Sequence, residues 1–460
     1  MKKKLLIVLS IIMALLLITL IGTSLDEPLD PAVEQALSFQ IPRVAPEDNA
    51  YVGLSGLQYV NDGDLVSAGL KFLESDPKKE RPPAPARDFS YKNPCLKGPG
   101  EQPDCLNQIV ADAAAINEDL DKNRVIIERY RRVLSMPQFV NTGAGFEAPV
   151  PLYQAMIESS RLLGAKAMLD IKQNNPAAGF DSLEAELAFC KRMGQSEHVS
   201  LIDLMIAVAG LNMKLNELSR LIEDGQIDLG GYEEQLRKML DLDLEAGRMM
   251  TAAISTEKRT YLHGLAHMSD DKTWLGPDAG FKDRLQTYFY LFLYKKNMTL
   301  NQLSAKLDAV IGQFKAAPLL GFPDYYHQRL SQMDEVEFGD GSHLEFKNLY
   351  NKYGLFFFKN YAGERLLEIA QPMYSKYMAR INDTVAQARL VRAQLELRLL
   401  NPQAEDVPEA LTKLGPETWN PYTGQPFAWD AEKKVLWIER IGSSNSSNSR
   451  LEAGLPNLRP

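Results

Sequence analysis

The sequence predicts a mostly α-helical protein: an irregular antiparallel helical bundle or short α-solenoid, placed after an N-terminal transmembrane helix and closed by a small C-terminal β-hairpin. Three observations predict it. Eighteen almost uninterrupted apolar residues, Leu5 through Gly22, follow Lys2, Lys3 and Lys4. From about residue 106 to 400, nearly every segment repeats its apolar residues with the helical period, and strand-like alternation is almost absent before residue 417. Aromatic residues then cluster between Trp419 and Trp437, in a stretch punctuated by Asn, Pro and Gly.

The apolar run would reach about 27 Å as a helix, close to the roughly 30 Å hydrocarbon core of a bilayer. Lysines stay on the cytoplasmic side, so the chain after Ser24 is expected outside the cytoplasm. A cleaved signal peptide is the alternative. Its apolar region is usually shorter, but Gly22-Thr23-Ser24 is a usable cleavage site. No cysteine ends the run, which argues against a lipoprotein. The expected address is the bacterial inner membrane, single-pass through residues 5–22, with the N-terminus cytoplasmic and the bulk periplasmic.

Composition fits a globular body: 45% of residues are hydrophobic and 24% charged. The net charge is −9, and removing the three N-terminal lysines leaves −12 for the exported part. That balance, with no basic stripe, excludes nucleic acid as a partner and disfavours anionic lipid.

Residues 1–24 form the cytoplasmic tip and anchor. Residues 25–46, with Pro28, Pro31, Pro42 and Pro46, are expected to be a stalk. The helical domain spans 47–415. Pro46, Glu47 and Asp48 suit its first helix start, and 64–74 is a second short helix. Longer helices are expected at 106–136, 152–173, 179–193, 199–223, 232–259, 281–297, 300–315 and 361–400. Asn175-Pro176, Gly194-Gln195-Ser196, Asp224-Gly225, Gly276-Pro277 and Pro318 supply breaks. In the last helix Ala370, Tyr374, Tyr377, Ile381, Thr384, Ala388, Val391 and Leu395 form a heptad seam, suited to a coiled-coil dimer or to packing along its own domain. A hairpin at 416–442 turns at Asp430 to Lys433, with Val435, Trp437 and Ile441 expected to face Phe427 and Trp429. A lone hairpin is marginal in water, so it should dock on the helices. The polar tail at 443–460 is expected to be disordered.

Three cysteines agree with export. Cys95 and Cys105 bracket a Pro- and Gly-rich loop, and an oxidising compartment favours a disulfide between them. A zinc site is the alternative, although no second Cys or His pair lies at suitable spacing. Cys190 sits in an apolar helical pattern and reads as core.

The anchor, the NAYVGLSGL segment, the paired cysteines with CLNQIVADAAAI and the terminal NPYTGQPF together resemble a group of uncharacterised bacterial membrane-anchored envelope proteins. The closing hairpin is also similar to the ends of type II secretion pseudopilins. The anchor lacks the pilin cleavage signal, however, and Gly442-Ser443-Ser444-Asn445 stands where the acidic calcium loop would be, so calcium is not implied. The resemblance implies location and architecture and supplies no activity.

Candidate chemistry is sparse. Of the five histidines, His263 and His267 lie four apart on a helix, and Asp271 follows. Two imidazoles at that spacing and a carboxylate form a weak metal-site candidate without the general-base glutamate of zincins. The opposing reading is two polar residues at a helix end. Gly53-Leu54-Ser55-Gly56 superficially resembles a nucleophile elbow, but it lacks the second glycine and a strand before it, so Ser55 reads as a helix-packing residue. Glu335, Glu337, Asp340 and His343 fail the EF-hand spacing and read as an acidic turn. Two aromatic runs, with Tyr288 and Phe292 in one and Phe356 and Phe357 in the other, either fill the core or line an apolar groove. The expected role is therefore a membrane-tethered periplasmic scaffold or adaptor of the envelope, non-enzymatic, without cofactor, with another envelope protein as partner. The alternatives are a metal-dependent hydrolase using His263 and His267, or a protein binding lipid or another hydrophobic ligand.

Overall fold

A computed structural model describes residues 26–75, 89–96, 104–143, 148–268, 280, 294–316, 374–441 and 450–456. These residues are mostly helical and end in a small antiparallel sheet. The helices are α1 (Pro31–Ser38), α2 (Ala50–Gly56), α3 (Leu65–Leu73), α4 (Cys105–Ala111), α5 (Ala113–Lys122), α6 (Arg124–Ser135), α7 (Gln154–Lys172), α8 (Pro176–Gly194), α9 (Leu201–Glu223), α10 (Glu233–Leu240), α11 (Ala246–Met268), α12 (Lys296–Ala316), α13 (Tyr374–Leu400) and α14 (Val407–Leu414). The strands are β1 (Ala428–Asp430), β2 (Val435–Glu439) and β3 (Arg450–Gly454), in the order β1-β2-β3. No helix among the described residues is long and apolar enough to cross a membrane, and the run 5–22 lies outside them.

The segment expected as a stalk is docked. Pro31 starts α1, Asp30 caps it by accepting from the Ala32 amide at 2.8 Å, and Val33, Ala36 and Leu37 repeat at helical spacing. That apolar stripe packs on α11, leaving Val33 0% exposed. Prolines are sparse enough here for one amphipathic turn to outweigh an extended stalk.

The expected helix at 106–136 is three helices. They break at Asp112 and Asn123, residue types that are poor helix formers, and the Asn123 side chain donates to the Asp119 carbonyl at 3.0 Å. The expected helix at 232–259 likewise divides, at Asp241 to Glu245, where Asp243 adopts a left-handed φ of +41°. Helices α7, α8 and α9 pack side by side as long antiparallel neighbours, and α13 and α11 cover other parts of α9. Helices α2 and α3 cross where a β-carbon on Gly56 would stand 2.6 Å from the Gly69 amide nitrogen, so only glycine permits that approach.

Helix α13 is apolar on two faces. Tyr374, Ile381, Thr384, Ala388, Val391 and Leu395 of the seam are buried in the body's own core, which resolves the seam as intramolecular packing; Ala370 lies outside the described residues. Ala386, Leu390, Ala393 and Leu397 face a second core shared with α14 and the sheet.

The C-terminal element is larger than a hairpin. Its tail from 443, expected to be disordered, contributes β3, paired antiparallel with β2 from Val435↔Gly454 to Glu439↔Arg450. The facing is also one residue out of phase with expectation. Leu436 and Ile438 point inward with Leu451 and Ala453, whereas Trp437 lies on the outer face under the Arg450 guanidinium, 4.0 Å from its ring centroid. Burying two smooth aliphatic side chains fills this shallow core, and the arginine shields the indole. Docking on the helices holds as expected, with Phe427 buried and Trp429 packed against the same cluster.

Candidate functional site

Polar chemistry concentrates where α7, α8 and α9 meet. Lys214 lies on the α9 stripe that also carries Ala207, Leu211, Leu218 and Leu221, so helical periodicity carries an ammonium into the core. The side chains of Lys214, Glu186 of α8 and Glu217 of α9 are all 0% exposed. Lys214 Nζ lies 2.8 Å from Glu217 Oε2, an ion pair off the direction of an aligned hydrogen bond, and 3.4 Å from Glu186 Oε1. It also donates to the Ser160 carbonyl at 2.8 Å. Glu186 Oε2 accepts from the Ser160 hydroxyl and, at 3.4 Å, from Tyr130. Glu217 Oε1 accepts from Asn93 Nδ2 at 3.2 Å.

Two carboxylates around one ammonium leave a net negative charge if both ionise, and a buried unpaired charge costs several kcal/mol. Burial pushes the Glu217 carboxyl up to about 7 against the pull of Lys214, and it raises Glu186 as well. The attraction of Glu186 and Glu217 keeps Lys214 protonated, outweighing its own burial. Cys190, beside this cluster, is pushed up to about 12 by burial first and Glu186 second, so it is an inert thiol. The three side chains are sealed from solvent, and burial favours the protonated form of the two carboxyls.

The predicted disulfide is present. Cys95 and Cys105 are bonded, with Cα atoms 5.1 Å apart, and both are buried; this sets aside the zinc alternative for these thiols. The bridge joins a 3-10 turn, Pro94–Leu96, to the start of α4. Asn93 Oδ1 accepts from the Cys95 amide at 3.0 Å, so the bridge and the buried cluster share one asparagine.

His263 and His267 lie one turn apart near the end of α11, the first half-buried and the second exposed. Burial, then the charges of His267 and Arg259, hold the His263 imidazole below its usual value. Asp271 lies outside the described residues, and among the described residues no three His, Cys, Asp or Glu groups come together to hold a metal. Tyr288, Phe292, Phe356, Phe357 and the acidic turn at 335–343 also lie outside them. Tyr294, closing the first aromatic run, is buried and donates to the Leu265 carbonyl at 3.1 Å. Ser55 is buried and donates to the Tyr51 carbonyl one turn back, as expected of a packing residue.

An open cleft of about 570 Å³ separates the end of α8 from the start of α11, lined by Lys191, Arg192, Arg248, Asp243, Glu245 and Met249. Lys191 and Arg192 sit where the helix dipole favours cations. Arg192 is spoken for: it donates to the Leu134 carbonyl at 2.8 Å and lies 5.6 Å from the Phe189 ring centroid. Charges of both signs share the lining with the apolar Ala188 and Met249.

A further cluster fixes the first described residues. Asp26 accepts from the Asn297 and Met298 amides at 2.8 and 3.1 Å, standing in as the N-terminal cap of α12. Asn301 bonds the Asp30 amide, the Glu27 carboxylate and the Pro28 carbonyl, each within 3.0 Å.

Sequence reasoning missed Lys214, Glu186, Glu217 and Asn93. The signal available was a lysine and a glutamate three apart inside the apolar stripe of LIDLMIAVAGLNMKLNELSRLIE. No protein-family model, curated protein or solved structure matches the chain.

Proposed function

We propose that this chain is a membrane-tethered helical scaffold or adaptor of the bacterial envelope, exposed on the periplasmic side and working by presenting a rigid surface to another envelope protein. The observation that carries this reading is the attachment of residues 26–38. Three residues separate the expected span 5–22 from Asp26, and from there the chain is hydrogen-bonded to α12 and packed on α11, so a bilayer-held segment would lie only a few residues from the body it carries. The Cys95–Cys105 bridge supports an oxidising compartment, and the mixed-charge cleft supports a polar protein partner.

The test has two arms. A reporter active only in the periplasm, fused after Pro460, should be active, and the protein should stay with membranes through a salt wash. Photo-crosslinkers at Lys191 and Arg248 should then capture a defined partner in cells. Release of a soluble form lacking 1–24 would overturn the tether, and crosslinks no richer at the cleft than at exposed Glu118 would overturn the docking role.

A further inference from the structure

We propose that Asn93 couples the Cys95–Cys105 disulfide to the proton held in the Glu186–Lys214–Glu217 cluster, making the bridge easier to reduce in acid than at neutral pH. The inference stands on buried geometry and is independent of where the protein resides.

The connection is continuous. The Asn93 carboxamide has one end on the backbone of the disulfide turn, accepting from the Cys95 amide at 3.0 Å, and its other end on Glu217, donating at 3.2 Å. Beyond Glu217, Lys214 and Glu186 close the chain, with Tyr130 and Ser160 as the outer donors. The ionisable groups acting on Glu217 are Lys214 of its own helix and Glu186 of α8; α7 contributes Ser160, and Tyr130 of α6 and Cys190 of α8 act one step further out, on Glu186 and Lys214. The bridged cysteines do not titrate.

An ionised Glu217 accepts a charge-assisted hydrogen bond from Asn93, roughly twice as strong as the bond a neutral carboxyl accepts. Ionisation therefore holds the asparagine, and through it the Cys95 turn, in the bridged geometry. Protonation loosens that hold. Linkage makes the effect reciprocal: breaking the bridge frees Asn93 and favours the protonated cluster.

The exchange used as a probe balances without protons. A dithiol attacks the bridge; the Cys95–Cys105 bond breaks, two protein thiols form with the dithiol's two protons, and its sulfurs close into a cyclic disulfide. While all thiols are protonated the equilibrium constant is pH-independent, unless another group titrates with the exchange. The full-length protein in detergent is equilibrated with a dithiol and its cyclic disulfide at about pH 5 and about pH 7.5, below the ordinary thiol range, and the reduced fraction is read by alkylation and mass mapping. The constant for reduction should be about fivefold larger at the lower pH, the size expected of one strengthened hydrogen bond. Glu217→Gln, which keeps the acceptor and removes the titration, and Asn93→Ala, which cuts the link, should each reduce the change below about twofold. A wild-type constant equal at both pH values, or a full change surviving in Glu217→Gln or in a folded Asn93→Ala, overturns the proposal; Glu217→Gln alone decides if Asn93→Ala fails to fold.

Discussion

A β-carbon on Gly164 would stand 2.6 Å from Cδ of Glu217 and closer still to both carboxylate oxygens. The glycine in α7 is therefore the clearance that lets a buried carboxylate of α9 reach Lys214, and helix propensity is sacrificed for it.

Gly164→Ala should destabilise the protein by about 1–3 kcal/mol, the usual cost of overpacking, even though alanine is the better helix former. Gly312 of α12 has no heavy atom within 4 Å of its built β-carbon and is exposed, so Gly312→Ala should stabilise by up to about 1 kcal/mol. Urea unfolding of the two variants should move in opposite directions, and a shift of the same sign in both would remove the steric argument.

The buried cluster also predicts a pH dependence. Burial raises the Glu217 carboxyl from the ordinary glutamate range to about 7, so the folded state binds a proton that the unfolded state has released between those values. Its contribution is fully present below the unfolded value, falls as pH rises through the folded one, and is then flat. Half-buried His198 and His263, held below their usual value by burial, act with opposite sign. The difference between wild type and Glu217→Gln isolates the effect. In denaturant titrations that difference should fall by roughly 3 kcal/mol from about pH 4.5 to 7. A difference independent of pH would place the proton elsewhere.

How far the sequence could be read follows from what periodicity reports. It reports which residues face a core, and so the long helices α7, α8, α9 and α13 were legible. A one-residue break at Asp112 or Asn123 leaves the stripe in phase, which is why three short helices read as one. Strand facing was ambiguous for the opposite reason. Every residue from Val435 to Ile438 is apolar, and the partner that covers Trp437 is Arg450, from a stretch too short and polar to signal a strand. The bridge was legible from loop composition and from the compartment the N-terminal run led us to expect. The buried Glu186–Lys214–Glu217 cluster was not, because pairing across α8 and α9 is a tertiary fact.

The third strand makes the tail structural. Leu451, Ala453 and Leu455 are buried with Leu436 and Ile438, and Gln394 of α13 donates to the Gly454 carbonyl at 2.7 Å. Leu451→Ala should cost about 2–4 kcal/mol, in the range for truncating a buried leucine. Deleting residues 443–460 should cost more, because β2 would lose its partner strand. An unchanged melting temperature after that deletion would show that β3 contributes nothing to the second core.

Asp26 ties the first described residues to α12. Its carboxylate takes the Asn297 and Met298 amides in the first turn of α12, where a negative charge also meets the positive end of the helix dipole. Asp26→Ala should therefore cost about 1 kcal/mol, the usual value of an N-terminal cap. Because these bonds are exposed, most of the change should be local. Amide exchange should accelerate at residues 297–301, with α7, α8 and α9 unaffected. Asp26→Asn, which keeps an acceptor oxygen and loses the charge, should fall between the two. Combining Asp26→Ala with Asn301→Ala removes the side-chain bonds that hold residues 26–30 to α12 and leaves the packing of Val33 on α11 intact. If these bonds hold the segment as the geometry indicates, this double variant should become cleavable by protease between residues 26 and 30 at concentrations that leave that stretch of wild type whole. Equal cleavage of both proteins would mean that the packing of α1 alone fixes the segment and that the cap is incidental.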